Sequence, residues 1–132
     1  MPTYNYKFLR NEEKYWDSIR ALRNKLNSSG GFIEDVFITE EMQNLYMKQH
    51  SKNFFVCLVD DIFAGYIGVI DNDIRIAVEP DMAGKGIGGF MLDNIQREFP
   101  SATARVLEGN DASKALFEKS GFKLRWYYYE RE

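Results

Sequence analysis

Four glycines fall within six positions at the end of the run Val78-Glu79-Pro80-Asp81-Met82-Ala83-Gly84-Lys85-Gly86-Ile87-Gly88-Gly89. Glycine allows positive φ and places no side chain between backbone N–H groups and an approaching anion. The alternating run Ile74-Arg75-Ile76-Ala77-Val78 precedes this loop, and helical spacing from Phe90 to Phe99 follows it. The pattern is strand, glycine loop, helix. Free N–H groups at a helix start carry partial positive charge, so the loop suits a phosphate or pyrophosphate. The chemistry it implies is the binding of a phosphorylated cofactor.

Other chemistry-bearing groups are sparse. Asp71-Asn72-Asp73 offers carboxylates, with Asp73 a candidate acid or base, although such a cluster is first of all a turn. Glu79 reads as a solvated residue at a strand end. Tyr127, Tyr128 and Tyr129 could supply a phenolic proton, and strand alternation would send Tyr128 to the opposite face from the other two. His50, the single histidine, is expected in the loop leaving a second helix. Cys57, the single cysteine, is expected to pack as a small apolar residue. With one His and one Cys, no metal site is expected.

The elements that must position these groups alternate between helix and strand. Tyr4 to Leu9 forms a first strand with Tyr4, Tyr6 and Phe8 on one face. Asn11 caps a helix opened by Glu12 and Glu13, on which Tyr15, Ile19, Leu22 and Leu26 form the buried stripe. Asn27-Ser28-Ser29-Gly30-Gly31 ends that helix as a loop. Thr39 caps a second helix whose Met42, Leu45, Tyr46 and Gln49 share a face. Strands follow at Phe54 to Val59 and Ile62 to Ile70, joined by a turn at Asp60-Asp61. The turn Asp71-Asn72-Asp73 then leads into the strand ending at Val78. After the glycine loop and its helix, broken by Pro100, Thr103 to Leu107 is a strand. Asn110 caps a short helix to Ser120, and Phe122 to Tyr129 is a last strand.

The chain has 132 residues, 45% hydrophobic and 15% aromatic, which suits one globular domain over residues 1–132. A formal net charge of −3 argues against nucleic acid or an anionic membrane as partner. No apolar run approaches a membrane span, and Met1 to Tyr6 lacks the apolar core of a signal peptide. One cysteine allows no internal disulfide, so a cytoplasmic setting is expected.

Two cofactor readings of the loop compete. Gly84-x-Gly86-x-x-Gly89 matches a dinucleotide fingerprint, and Glu108 falls near the position of a ribose-binding acid. Three successive strands joined by tight turns precede the loop, however, and too little chain follows Glu108 for the second half of such a fold. A phosphate-binding loop of the Lys-Ser or Lys-Thr type fails because Lys85 precedes the last glycines. The second reading draws on Asn110-Asp111-Ala112-Ser113-Lys114-Ala115-Leu116-Phe117-Glu118-Lys119-Ser120-Gly121-Phe122. With Val78-x-Pro80 and Gly84-Lys85-Gly86-Ile87-Gly88, this segment resembles the GNAT superfamily of acetyl-CoA-dependent N-acetyltransferases. The order of elements fits across almost the whole chain.

The resemblance implies an α/β fold with a central mixed, mostly antiparallel sheet flanked by helices. Its order would be β-α-α-β-β-β-α-β-α-β, here with the final strand of the family's terminal pair absent. It implies acetyl-CoA as cosubstrate and no metal. Backbone N–H groups of Ala83, Gly84, Lys85, Gly86, Ile87, Gly88 and Gly89 would hold the pyrophosphate. The strand before the loop would splay from the next one, with pantetheine between them. Val78 would pair with pantetheine, and the Ile76 N–H would polarise the thioester carbonyl. Asn110 would lie beside the pantetheine arm, where Ser113 leaves room.

The chain departs from the family at several positions. Ala83 replaces a common Arg or Gln, Phe117 replaces a tyrosine that often acts as acid, and Asn72 stands where some members carry a glutamate base. An open edge left by the absent strand could be covered by a partner subunit, giving a homodimer. Acceptor recognition is expected on the first two helices, at Trp16, Arg20, Arg23, Asn24 and Glu41. The expected acceptor is a small-molecule amine such as an amino sugar. The alternatives are a protein amine and a non-catalytic acetyl-CoA sensor.

Overall fold

The computed structural model describes residues 3–27 and 37–132. Strand β1 spans Tyr6–Arg10, and helices α1 and α2 span Trp16–Asn27 and Glu40–His50. Strands β2 (Phe54–Val59), β3 (Ile62–Ile70) and β4 (Asp73–Val78) follow, then α3 (Ile87–Glu98) and α4 (Asp111–Lys119). The sheet runs in the order β1-β2-β3-β4, antiparallel throughout. The α/β class and the order β-α-α-β-β-β-α match the sequence reading. Of the loop expected at Asn27 to Gly31, residues 28–31 lie outside the described residues.

Both faces of the sheet are buried, which is why β2 and β3 are nearly continuous apolar runs. Phe55, Cys57, Ile67, Val69 and Ile74 pack against Ile87, Met91, Leu92 and Ile95 of α3. On the other face Phe54, Val56, Tyr66, Ile70 and Ala77 pack against Ile19 and Leu22 of α1 and Met47 of α2. Cys57 is fully buried, and desolvation pushes its thiol up to about 11, as befits an inert core residue. The hairpin turns have positive φ at both central residues, Asp60 and Asp61 at 50° and 68°, Asp71 and Asn72 at 52° and 66°. That twist matches the flanking strands. A bulge on β3 leaves Ala64 unopposed, since Cys57 pairs with Gly65 and Leu58 with Phe63. Phe63 and Tyr66 consequently face the same cluster.

Several expectations are corrected. Asn11 does not cap the first helix: Glu12 occupies the cap of a short 3-10 turn at Glu13–Tyr15, and the Asn11 amide reaches Met47 Sδ at 3.3 Å. Helix α2 buries Gln43 and Met47, leaving Leu45 71% exposed, so its inner face is rotated from the stripe expected through Met42, Leu45 and Gln49. Gln43 is held inside because its Nε2 donates to Trp16 O at 2.9 Å. His50 is the last residue of α2, and its ring lies 4.5 Å from that of Tyr46. Helix α3 begins at Ile87 rather than Phe90, because Gly86 adopts the left-handed conformation (φ 72°) and the apolar Ile87 side chain is drawn into the core.

The expected strand Thr103 to Leu107 is reduced to one parallel bridge, Asp73↔Thr103. Residues 122–129 form no strand; from 123 onward they are exposed, and a strand without a paired edge has nothing to satisfy its backbone. Trp126, Tyr127, Tyr128 and Tyr129 accordingly stand in solvent.

Gly68 lies under the Phe54 ring, where an added Cβ would come within 2.4 Å of Phe54 Cδ1. The substitution Gly68→Ala is therefore expected to destabilise the fold by about 1–3 kcal/mol, read as a lower denaturant midpoint. An unchanged midpoint would show that Phe54 can move aside.

Candidate functional site

Hydrogen bonds at the two ends of β4 establish which way its backbone faces. Ile74 N–H donates to Thr103 O at 2.8 Å and Thr103 N–H to Asn72 O at 2.8 Å, so Ile74 points to the outer edge of the sheet. Glu79 N–H instead donates inward, to Ala64 O on β3 at 2.8 Å. Backbone direction repeats every two residues along a strand, so the N–H groups of Ile76 and Val78 share the outward direction of Ile74. Beyond Thr103, residues 104–107 make no ladder with β4. An edge of outward N–H groups therefore faces a gap.

A cavity of about 310 Å³ occupies this gap and reaches both faces of the sheet. On the α4 side Ile74, Ile76, Val106, Leu107, Asn110, Ser113 and Phe117 line it. On the other side it is lined by Arg23 of α1, by Met42, Gln43, Tyr46 and Met47 of α2, and by Phe54 and Tyr66. Asp73, Arg75 and Arg105 complete the wall. Asn110 caps α4, its Oδ1 accepting from Ser113 N–H at 3.2 Å, as its sequence context implies.

The glycine loop continues from the Val78 end of the same edge. Gly84 and Gly86 have φ of 81° and 72°, and a Cβ at either would meet nothing within 4 Å. Conformation rather than crowding demands glycine there. The first helical bond of α3 runs from Phe90 N–H to Gly86 O at 3.0 Å. The N–H groups of Ile87, Gly88 and Gly89 precede it and lack an intrahelical acceptor. Ala83 is different, because its N–H already donates to Pro80 O at 3.2 Å. Gly88 serves packing, since a Cβ would sit 2.9 Å from Leu116 Cδ2. The Lys85 carbonyl accepts from Tyr6 Oη, and Lys85 Nζ lies 5.1 Å from the Tyr4 ring centre.

A family model described as an acetyltransferase (GNAT) domain matches residues 50–124. The chain belongs to this family. Its class of activity is acyl-CoA-dependent N-acetyl transfer, with acetyl-CoA as cosubstrate. Solved structures share the fold at low identity. Ribosomal-protein-alanine N-acetyltransferase from Brucella melitensis superposes with a TM-score of 0.79 at 17% identity, over 89% of this chain and 84% of that one. An N-acetyltransferase from Staphylococcus aureus Mu50 gives 0.77 at 20% identity, over 90% and 84%. A phosphinothricin acetyltransferase from Sinorhizobium meliloti, solved with acetyl-CoA, gives 0.78 at 19%, over 92% and 76%. Comparison with curated proteins returned no match.

Within this GNAT domain the candidate residues separate clearly. Of the residues expected to recognise the acceptor, Arg23 lines the cavity, whereas Trp16, Arg20, Asn24 and Glu41 do not. Asn24 is a latch: its Nδ2 donates to Ile38 O at 2.9 Å and its Oδ1 accepts from Ile38 N–H at 2.8 Å. Arg20 pairs loosely with Asp17 at 3.7 Å, and Glu41 is exposed in the first turn of α2. Trp16 Nε1 and Arg20 Nε are buried without a hydrogen-bond partner among the described residues.

Asp73 accepts from Arg75 Nε at 3.0 Å and Arg105 Nη2 at 3.1 Å, so its carboxylate is committed to two guanidinium groups. Glu79 is not solvated as expected; only 16% of its side chain is exposed, and it pairs with Lys25 at 2.6 Å. Tyr127 and Tyr128 are 77% and 83% exposed and do not reach the cavity. The Tyr128 hydroxyl bonds Glu130, which pushes its pKa up. Phe117 is buried in the cavity wall and stacks edge-on against Phe122. Among the described residues no three of His, Cys, Asp and Glu gather as a metal would require, and no helix is long and apolar enough to cross a membrane.

Tyr66, Gln43, Tyr46, Arg75 and Arg105 line the cavity without having been singled out from sequence. Arg75 carried a usable signal, a charge inside the alternating strand before the loop. Tyr66 is enclosed, and desolvation pushes its phenol well above the usual tyrosine range, against a smaller opposing pull from Arg23.

Two outcomes follow from these contacts. Asn24→Ala is expected to cost about 1–3 kcal/mol and to speed hydrogen exchange at the Ile38 amide; protection equal to wild type would refute the latch. The raised Tyr66 pKa stabilises the fold fully below the ordinary value of about 10, and this contribution is lost as pH rises beyond it. In a Cys57→Ala background, which removes the thiol titration, Tyr66→Phe should flatten the alkaline fall of the denaturation midpoint. A fall that persists unchanged assigns it to another group.

Proposed function

We propose that this GNAT domain transfers acetyl from acetyl-CoA to the primary amine of a small molecule, an amino sugar among the candidates, by direct attack on the thioester. The observation that carries the reading is the outward N–H edge of β4 bordering a cavity open to both α4 and the α1–α2 side. A linear thioester arm needs a donor row of this kind, and an acceptor needs access from the other side. The open glycine loop and the amides at the start of α3 that lack an intrahelical acceptor fit a pyrophosphate at the far end of the same edge.

Acetyl-CoA supplies the activated acetyl group; the chain supplies position and electrostatics. The Ile76 N–H would donate to the carbonyl oxygen as negative charge develops there. Val78 would hold the arm through its backbone, with Asn110 and Ser113 beside it. Gly84, Lys85, Gly86, Ile87, Gly88 and Gly89 would receive the phosphates, and Ala83 would contribute little because its N–H is used within the turn. As the C–N bond forms and the C–S bond breaks, the amine loses a proton and the thiolate gains one. Phe117 cannot provide that proton, so solvent is its proposed source, with orientation providing most of the acceleration.

The missing donor at Phe117 also favours a second reading, a sensor that binds acetyl-CoA without turnover. A reducing, cytoplasmic compartment suits the single buried cysteine. The exposed aromatic run 126–129 supports a homodimer, since a second copy would cover it; sedimentation as a monomer across concentrations would refute that part.

Purified protein is expected to bind acetyl-CoA and release CoA with at least one member of a panel of amino sugars, amino acids and N-terminal peptides. Binding without turnover on every amine would establish the sensor instead. Gly86→Asp, which introduces a carboxylate and a side chain where φ is positive, should abolish acetyl-CoA binding. Wild-type affinity in that variant would sink the proposed phosphate site.

A further inference from the structure

Several charged residues line the cavity. Among the described residues they are Arg23, Asp73, Arg75 and Arg105, three cations and one anion. They lie at the acceptor end, away from the glycine loop that suits phosphates, so the cofactor's phosphates do not account for them. Asp73 bridges two of them, and only 16% of its side chain is exposed, so it acts as a fixed strut. Its bond to Arg75 is made by Nε at 3.0 Å rather than by the terminal nitrogens. This orients Arg75 while leaving that planar pair outside the ion pair, in the geometry that grips a carboxylate or phosphate with two parallel bonds.

Arg23 reaches the same space from a different element. It is half-buried on α1, and its Nη1 donates to Asn27 Oδ1 at 3.2 Å. Arg23 and Arg75 both pull the Tyr66 phenol toward ionisation, so both guanidinium groups sit within electrostatic reach of one hydroxyl in the cavity wall.

We propose that the acceptor carries an anionic group, a carboxylate or a phosphate, held by Arg23 and Arg75 beside Tyr66 while its amine faces Ile76. This rests on the acetyl-transfer reading above and names the substrate class for that site. The arrangement has a second effect on the same reaction. A guanidinium group beside the amine disfavours its ammonium form, so the arginines that hold the anion also favour the neutral, nucleophilic amine. That role matters where Asn72 offers no base.

The test uses matched pairs that differ only in the anion: β-alanine against β-alaninamide, and a phosphorylated glucosamine against glucosamine. Each is assayed for kcat/KM in CoA release and, separately, for Kd by calorimetry with protein saturated with CoA. The charged member of at least one pair is expected to be preferred by about tenfold to a hundredfold, and added salt should shrink that preference. Which pair shows it separates carboxylate from phosphate. In Arg75→Gln and Arg23→Gln the preference should collapse while acetyl-CoA Kd stays as in wild type. Equal treatment of both members in both pairs, or a preference that survives both substitutions, overturns the proposal. The calorimetric arm reads the subsite without turnover. If no amine is acetylated, the transfer reading fails while anion selectivity is still measured, and its absence there overturns the inference independently.

Discussion

The release of β4's outer edge is the constraint around which the domain is arranged. Two hydrogen bonds at Thr103 tie that edge to the following segment, and past them the two backbones part. A sheet edge left open inside a protein is costly, because its amides and carbonyls need partners. Here the cost is offset by surrounding the opening with helices that close the cavity without filling it. α1 and α2 approach one face, while α3 and α4 approach the other. The edge between them stays addressable from both sides.

The bulge at Ala64 contributes to that arrangement. Its carbonyl accepts the Glu79 N–H, which ends the β3–β4 pairing next to Val78 and turns the chain toward the glycine loop. The same extra residue shifts the alternation of β3, so Tyr66 faces α1 and α2 while Ala64 faces α3. One local irregularity thus sets both where the strand stops and which aromatic borders the cavity. Gly65 beside it has no freedom, since a Cβ would lie 2.5 Å from Ala77 O.

Features governed by local chemistry were legible in the chain. Gly84 and Gly86 announced positive φ, Asn110 and Thr39 announced helix caps, and Asp60-Asp61 announced a tight turn, all as found, whereas the turn expected at Asp71-Asn72-Asp73 is one residue shorter because Asp73 already pairs in β4. Features governed by tertiary competition were not. The apolar residues of 103–107 suggested a strand, but ladder formation depends on whether β4 remains parallel to it. The segment 122–129 has strand-forming residues and no edge to join. Gln43 escaped notice because its burial depends on the Trp16 carbonyl, a contact across 27 positions of sequence. Among the site residues, Arg23 was found on polarity alone. Asn24, just beside it, looked equivalent in sequence and turned out to be consumed by Ile38.

The outward N–H row of β4 bears on how such a domain can diverge. Backbone N–H donors are supplied by every residue type except proline, so a donor site made of them tolerates replacement of almost any side chain along Ile76 and Val78. Structural neighbours with TM-scores near 0.77 to 0.79 at 17–20% identity are what such tolerance permits. The rest of the cavity wall is built differently, from side chains such as Arg23, Tyr66 and Arg75 that can be exchanged one at a time. Evolution can therefore rewrite what the cavity accepts while the backbone row passes unaltered from one descendant to the next.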